Sequence, residues 1–395
     1  MTETPRSPLP EIASAFLRLG LTSFGGPIAH LGYYRAELIQ RRRWISDDAY
    51  AEILALSQFL PGPASSQTAF ALGWQRGGFA GAMTAVLAFT LPSAIAMILL
   101  AALVGAAPPQ TGLAGGLIAG LKITAVAVVA HAVLGMARNL APEGPRAGIA
   151  LAALALIALT PAGSLAQIAA ILLGTGLGLA LRVAPPSSEL ATPPLRALSR
   201  RRGAACLMVF ALLLIGLPLI AGSGALAQIA DVFYRAGALV FGGGHVVLPL
   251  LQSGTGGMVP ESSFLAGYGA AQAMPGPIFT FAGWLGQVAA GIPGALVGLV
   301  AIFLPGFLLM AGAMPFWAAL SKLPLARHAM AGANAAVVGI LGHALYDPVF
   351  TGGIRDDADL ALAVALFLML ALWRRPAWQV VIAGALGGMA LALIA

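Results

Sequence analysis

Long apolar stretches alternate with short polar breaks along the whole of this chain. A bilayer's hydrocarbon core is roughly 30 Å thick and takes about 20 helical residues to cross. On that measure candidate membrane segments lie near 12–32, 50–74, 79–105, 114–137, 147–161, 164–183, 203–222, 226–251, 262–288, 292–314, 329–347, 358–373 and 377–394. Several are short or interrupted by proline and glycine, so about 9–13 segments are expected to enter or cross the membrane. The pattern predicts an all-α polytopic membrane protein. No polar stretch between the segments is long enough for a soluble catalytic domain.

The breaks in the pattern occur twice. Phe16-Leu17-Arg18-Leu19-Gly20-Leu21-Thr22-Ser23-Phe24-Gly25-Gly26 returns as Phe233-Tyr234-Arg235-Ala236-Gly237-Ala238-Leu239-Val240-Phe241-Gly242-Gly243. Gln58-Phe59-Leu60-Pro61-Gly62-Pro63 returns as Gln272-Ala273-Met274-Pro275-Gly276-Pro277. Gly73, Gly78, Gly81 and Pro92 match Gly286, Gly291, Gly294 and Pro305, and Gly120 and His131 match Gly332 and His343. A duplicated apolar chain with such breaks at matching places is a common construction of secondary transporters. The expected organisation is an N-terminal repeat over 1–181, a basic linker over 182–202 with Pro185, Pro186, Pro193 and Pro194, and a C-terminal repeat over 203–395.

Charge sets the orientation. An odd number of segments separates the starts of the two repeats, which inverts one relative to the other. Basic residues favour the cytoplasm, and placing Arg196 and Arg200–Arg202 there also places Lys322, Arg327, Arg374 and Arg375 there, with Asp356, Asp357 and Asp359 outside. The first half fits only if 12–40 and 46–74 are hairpins that enter and leave on one side. Their tips would be Phe24-Gly25-Gly26-Pro27 and Leu60-Pro61-Gly62-Pro63. The expectation is therefore two inverted structural repeats with broken or re-entrant helices, the N-terminus cytoplasmic and the C-terminus outside.

Composition sharpens this. The 395 residues are 59% hydrophobic and 9% charged, with mean hydropathy +0.91, against roughly 25% charged in a soluble domain. Met1–Pro10 is polar, and the first apolar run leads to Arg41-Arg42-Arg43 instead of a small-residue cleavage site, so no cleaved signal peptide is expected. The net charge of +7 reads as basic residues kept on cytoplasmic loops, or as an anion-attracting vestibule. Nucleic-acid binding needs a basic face on a soluble module, and the sequence offers none. The single Cys206 rules out an intramolecular disulfide or a cysteine cluster. No His-x-x-x-His, paired carboxylates or Ser-His-Asp order suggests a metal, a cofactor or a hydrolase triad.

The candidate chemistry lies at the breaks. Proline fits the first turn of a helix, so Pro63 can start a half-helix whose free N–H groups and positive dipole end point inward. Ser65, Ser66 and Thr68 add hydroxyls, and the second copy supplies Pro277 and Thr280. Two such ends, with Gly62 and Gly276, would hold a multivalent oxyanion; a plain helix kink is the alternative. Gly25 and Gly26, with Ser23, and their counterparts Gly242, Gly243 and Gly244 permit close approach of backbone to a ligand or of helix to helix. Gln58 and Gln272 are neutral donors beside the breaks, or packing glue. Arg18 and Arg235 either recognise an oxyanion bidentately or snorkel to a headgroup. Lys122, mid-segment, needs a cavity or a partner. His131 and His343 are candidates for proton coupling, or packing histidines.

Phe-Gly-Gly-Pro at 24–27, Tyr33 to Trp44 ending in Arg-Arg-Arg-Trp, Gln-Phe-Leu-Pro-Gly-Pro at 58–63, Phe-Gly-Gly-Gly-His at 241–245 and Ala-Met-Pro-Gly-Pro at 273–277 together resemble the chromate ion transporter family in its long, two-domain form. The resemblance implies export of chromate across the bacterial inner membrane, chromate resistance, coupling to the membrane potential or a proton gradient, and sulfate as natural competitor. It implies the bilayer and chromate as partners, with a homo-oligomer left open. The rivals are a sulfate or other oxyanion carrier of the same fold, a membrane-embedded enzyme on lipid head groups, and a passive anion channel.

Overall fold

A helix satisfies its backbone groups within one segment, which is what an apolar solvent demands. The computed structural model describes residues 8–24, 26–104, 111–160, 163–183, 195–240, 247–320 and 323–394, and among these it is helical without strands. In chain order the helices are α1 (Leu9–Thr22), α2 (Gly26–Tyr34), α3 (Asp47–Phe59), α4 (Ala64–Val104), α5 (Gly112–Leu140), α6 (Gly144–Leu159), α7 (Gly163–Ala180), α8 (Arg200–Ile220) and α9 (Ala225–Leu239). They continue as α10 (Val247–Thr255), α11 (Glu261–Ala273), α12 (Phe281–Ala313), α13 (Trp317–Leu320), α14 (Pro324–Ala344), α15 (Thr351–Gly353), α16 (Asp357–Ala371) and α17 (Ala377–Ile394). A wider π-type turn, Arg35–Arg41, continues α2.

Among the described residues six helical runs are long and apolar enough to span a bilayer: Ala64–Val104, Gly112–Arg138, Arg200–Ser223, Ile278–Phe316, Pro324–Gly353 and Ala377–Ile394. Large apolar side chains face outward on them, as Leu212, Ile215 and Leu219 do on α8, which is the surface lipid requires. The chain is a multi-pass helical membrane protein.

The two longest helices are each two limbs. α4 breaks at Gly77 and Gly78, where Gly78 takes φ 62° and ψ −151°. α12 breaks at Ala290 and Gly291, where Gly291 takes φ 64° and ψ −158°. Such backbone is open to glycine and strained for other residues. The chain reverses there: a Cβ on Gly73 would meet the Gly81 carbonyl at 2.5 Å, and one on Gly286 would strike that of Gly294.

Limb 64–76 therefore returns beside α3, and Thr68 Oγ1 donates to Ser57 Oγ at 3.0 Å across the pair. Leu60–Pro63 is the tip of this hairpin. Its arms are about 20 Å long at 1.5 Å per residue, too short to cross. At its open end Glu11 accepts from Arg76 and from Trp44 Nε1, both at 2.8 Å, with Arg42 at 3.7 Å. The start of α1, the segment after α2 and the end of limb 64–76 thus share one face, as the charge pattern requires. α11 and limb 281–289 pair in the same way, with Trp284 Nε1 donating to the Ser263 carbonyl at 3.1 Å. Between these hairpins α8 rises about 32 Å. It starts beside Arg196, whose N–H and carbonyl bond the Gln75 side chain at 2.7 and 3.0 Å, and ends where α9 begins.

The flanking helices are exchanged between halves. Gly116 and Gly120 of α5 meet Gly384 and Gly388 of α17, while Gly332 of α14 meets Gly174 and Gly178 of α7. Small residues allow such close helix contacts in lipid.

Candidate functional site

The two Pro-Gly-Pro tips are held by reciprocal bonds. Gly62 N–H donates to the Val240 carbonyl at 2.7 Å, and Gly276 N–H donates to the Ser23 carbonyl at 2.9 Å. Ser23 and Val240 occupy corresponding places just past α1 and α9. Each tip is therefore fastened to the other half of the chain. Both glycines have positive φ, 127° at Gly62 and 92° at Gly276, which is why glycine stands between the prolines. Each tip also leans on the other half's long helix: a Cβ on Gly62 would lie 3.1 Å from Gly306, and one on Gly276 2.9 Å from Ser93 Oγ. A run of rings joins the segments that follow the tips, Phe70–Phe307 at 5.3 Å, Phe307–Phe303 at 6.0 Å and Phe303–Phe279 at 6.1 Å.

At the first tip, Pro63 leads directly into α4, and the Gln67 amide N–H bonds the Pro63 carbonyl at 2.9 Å. The earlier N–H groups of a helix have no intrahelical partner. Ser65, Ser66, Gln67 and Thr68 are all buried there. Gln67 Nε2 donates to the Pro61 carbonyl at 2.9 Å and the Gly306 carbonyl at 3.2 Å, which fixes the tip's shape. Ser66 Oγ is buried without a hydrogen-bond partner, and so are Ser23 Oγ, Gln67 Oε1 and Gln272 Nε2. Unspent polar atoms at buried depth are costly unless something binds them. The donors among them, the Ser66 and Ser23 hydroxyls and Gln272 Nε2, together with the N-terminal dipole suit an anion rich in acceptor oxygens. At the second tip, Ile278–Thr280 forms a tight 3₁₀ turn, and both the N–H and hydroxyl of Thr280 bond the Pro277 carbonyl, at 3.0 and 2.9 Å.

The other sequence-predicted residues lie apart from the tips. Arg18 is exposed. Arg235 is half-buried and paired with buried Asp231 one helical turn before it. Gln58 is exposed whereas Gln272 is buried. Lys122 is half-buried, with its carbonyl against Gly353. His131 is exposed, its ring 6.4 Å from that of Phe367. His343 is half-buried and lines a cavity of about 360 Å³ with Thr160, Gln167, Gln252, Ser253 and Asp347. Gly26 opens α2, and Gly25, Gly242, Gly243 and Gly244 lie outside the described residues. Val240 and Gln67 bond the first tip and Ser93 of α4 touches the second, but none has a residue type that singles it out in the sequence. Among the described residues no group of His, Cys, Asp and Glu gathers to hold a metal.

Comparison with known proteins follows the same plan. The sequence profile described as Chromate transporter matches residues 10–179 and 227–389. The chain is 31% identical over 389 residues to a probable chromate transport protein of Synechococcus elongatus, covering 94% of this chain and 91% of that protein. It is 29% identical to the chromate transport protein of Cupriavidus metallidurans, covering 96% and 92%, and 28% identical to that of Pseudomonas aeruginosa, covering 87% and 82%. No solved structure matches. With both long arms of the profile falling on the two halves that exchange their tips, the chain belongs to the chromate transporter family, a family of transport proteins.

Proposed function

We propose that this protein exports chromate from the cytoplasm by alternating access, as a secondary carrier of the bacterial inner membrane, and so gives chromate resistance. Family membership and the relatives named chromate transport protein support the substrate. The observation that carries the mechanism is the reciprocal pair of bonds, Gly62 to Val240 and Gly276 to Ser23. Two halves, 1–181 and 203–395 joined by 182–202, that each grip the other's tip form a two-state interface of the kind rocking carriers use. We read the halves as inverted repeats, with the N-terminus inside and the C-terminus outside.

In this reading a tetrahedral dianion sits against the α4 N-terminus, with Ser65 and Ser66 supplying N–H and hydroxyl groups, Gly62 and Pro63 shaping the tip, and the Ser23 hydroxyl offered from the Gly276 side. Gly276, Pro277, Gln272 and Thr280 form the opposing wall. Arg18, Arg235 and Lys122 serve the approach. A dianion leaving an inside-negative cell gains roughly 4–5 kcal/mol at 100 mV, enough to drive export. The test is labelled chromate in everted vesicles: saturable accumulation under a potential, competed by sulfate, is expected. Accumulation of sulfate without chromate changes the substrate and keeps the site. Accumulation of neither overturns the reading.

A further inference from the structure

One buried acid lies outside this account. Glu52 on α3 is 2% exposed. Its Oε2 accepts a 2.5 Å hydrogen bond from Trp317 Nε1, 265 residues away at the start of α13 in the second half. Trp317 is itself buried and packs its ring 5.4 Å from Phe59, the residue before the Leu60–Pro63 tip. The bond therefore joins the first half's hairpin to the second half, within touch of the tip.

A buried carboxylate is costly unless a cation pairs with it. Among the described residues no Lys, Arg or His nitrogen lies within 4 Å of Glu52. The charged and titratable groups on the elements packed against α3 are engaged or exposed. Arg35 pairs with Asp47 at 2.9 Å, Arg41 and Arg42 with Glu37 at 2.8 Å, and Arg76 with Glu11 at 2.8 Å. The Tyr50 hydroxyl donates to the Leu31 carbonyl at 2.7 Å, and Asp48 is exposed. On α2, His30 Nε2 bonds the Ser23 carbonyl at 3.2 Å, and the Tyr34 hydroxyl is the exception, buried without a hydrogen-bond partner. From the second half the facing group is the Trp317 indole.

We propose that Glu52 is a proton-binding site that couples the proton gradient to movement of the first tip. This deepens the carrier reading and rests on it. The ionised carboxylate accepts a charge-assisted bond from Trp317, and such bonds are roughly twice as strong as neutral ones. It holds the hairpin against the second half. Uptake of one proton turns it into a neutral carboxylic acid that keeps only an ordinary hydrogen bond, and the hairpin with its Phe59 contact is freed to move. Release of the proton re-forms the latch. Glu52 lies about 8 Å along α3 from the exposed Asp47 end, which places it within short reach of the aqueous face.

The test uses the full chain in proteoliposomes. Chromate exchange at equal pH is compared with accumulation against a proton gradient, and infrared difference spectra are recorded on acidification. One coupled proton supports about tenfold accumulation per pH unit. Glu52→Gln is expected to lower the ratio of gradient-driven accumulation to exchange by that factor, and Trp317→Phe to lower it less. An unchanged ratio in Glu52→Gln overturns the proposal. Where Glu52→Gln is inactive in both assays, Glu52→Asp decides: a shifted pH midpoint of accumulation supports the site, and an unshifted one overturns it. If the parent exchanges no chromate, the carrier reading fails and the spectra alone decide. A buried-carboxyl band that appears on acidification and is missing in Glu52→Gln supports proton binding, and identical spectra overturn it.

Discussion

The two tips share a backbone and differ in chemistry. Both place glycine at positive φ between prolines, and both donate that glycine's N–H across to the other half. The first opens straight into α4 and buries Ser65, Ser66, Gln67 and Thr68, with the Ser66 hydroxyl unspent. The second closes into a 3₁₀ turn, spends its one hydroxyl on Pro277, and buries Phe279, Phe281 and Ala282 where the first has Ser65, Gln67 and Thr68. The backbone arrangement thus stands twice and the buried run of hydroxyls once. In the proposed mechanism the second tip is the brace against which the first works.

Breaking the shared part is expected to have the largest effect. A positive-φ backbone costs a non-glycine residue on the order of 1–3 kcal/mol, and a Cβ on Gly62 or Gly276 also meets close neighbours. Gly62→Ala and Gly276→Ala are expected to abolish chromate transport alike and to lower the thermal unfolding midpoint. Next is the polar lining. Hydrogen bonds to charged groups contribute about 1.5–3 kcal/mol, so Ser66→Ala is expected to weaken chromate half-saturation about tenfold or more. Thr280→Val, on the braced side, is expected to leave affinity nearly unchanged while costing about 1 kcal/mol of stability. Comparable affinity losses in both variants would dissolve the distinction. Gln67→Leu frees the Pro61 and Gly306 carbonyls and is expected to destabilise by about 1–3 kcal/mol in denaturant unfolding.

The smallest effect is at the hairpin base. The hydrogen bond from Arg76, with Trp44 and the Arg76 and Arg42 charges, holds the Glu11 carboxyl below its ordinary 4.5 against the opposing effect of burial. A lowered folded-state value means stability that is present above 4.5 and lost as pH falls through the folded value. Glu11→Gln is expected to flatten the acid limb of a thermal-stability profile. An acid limb of the same slope would remove Glu11 from the base.

Much of this was legible in the sequence. The paired breaks located both tips, and the stranded Arg41–Arg43 run pointed to hairpins that open at one face, where Arg42 and Arg76 now meet Glu11. The exchange between halves was not legible. Its acceptors are the backbone carbonyls of Ser23 and Val240, and a carbonyl leaves no mark on residue type. The repeated arginines differ in their surroundings. Arg235 has Asp231 at helical i,i+4 spacing, a pairing that the local sequence already offered, whereas Arg18 has no acid at that place. No local pattern marks Glu52, whose partner stands 265 residues along the chain.

The most direct test of the central claim is chromate half-saturation in proteoliposomes for the parent, Ser66→Ala and Thr280→Val, each checked for equal thermal unfolding. The account predicts a loss of about tenfold in Ser66→Ala alone. Equal affinity in all three, or a loss confined to Thr280→Val, would contradict it.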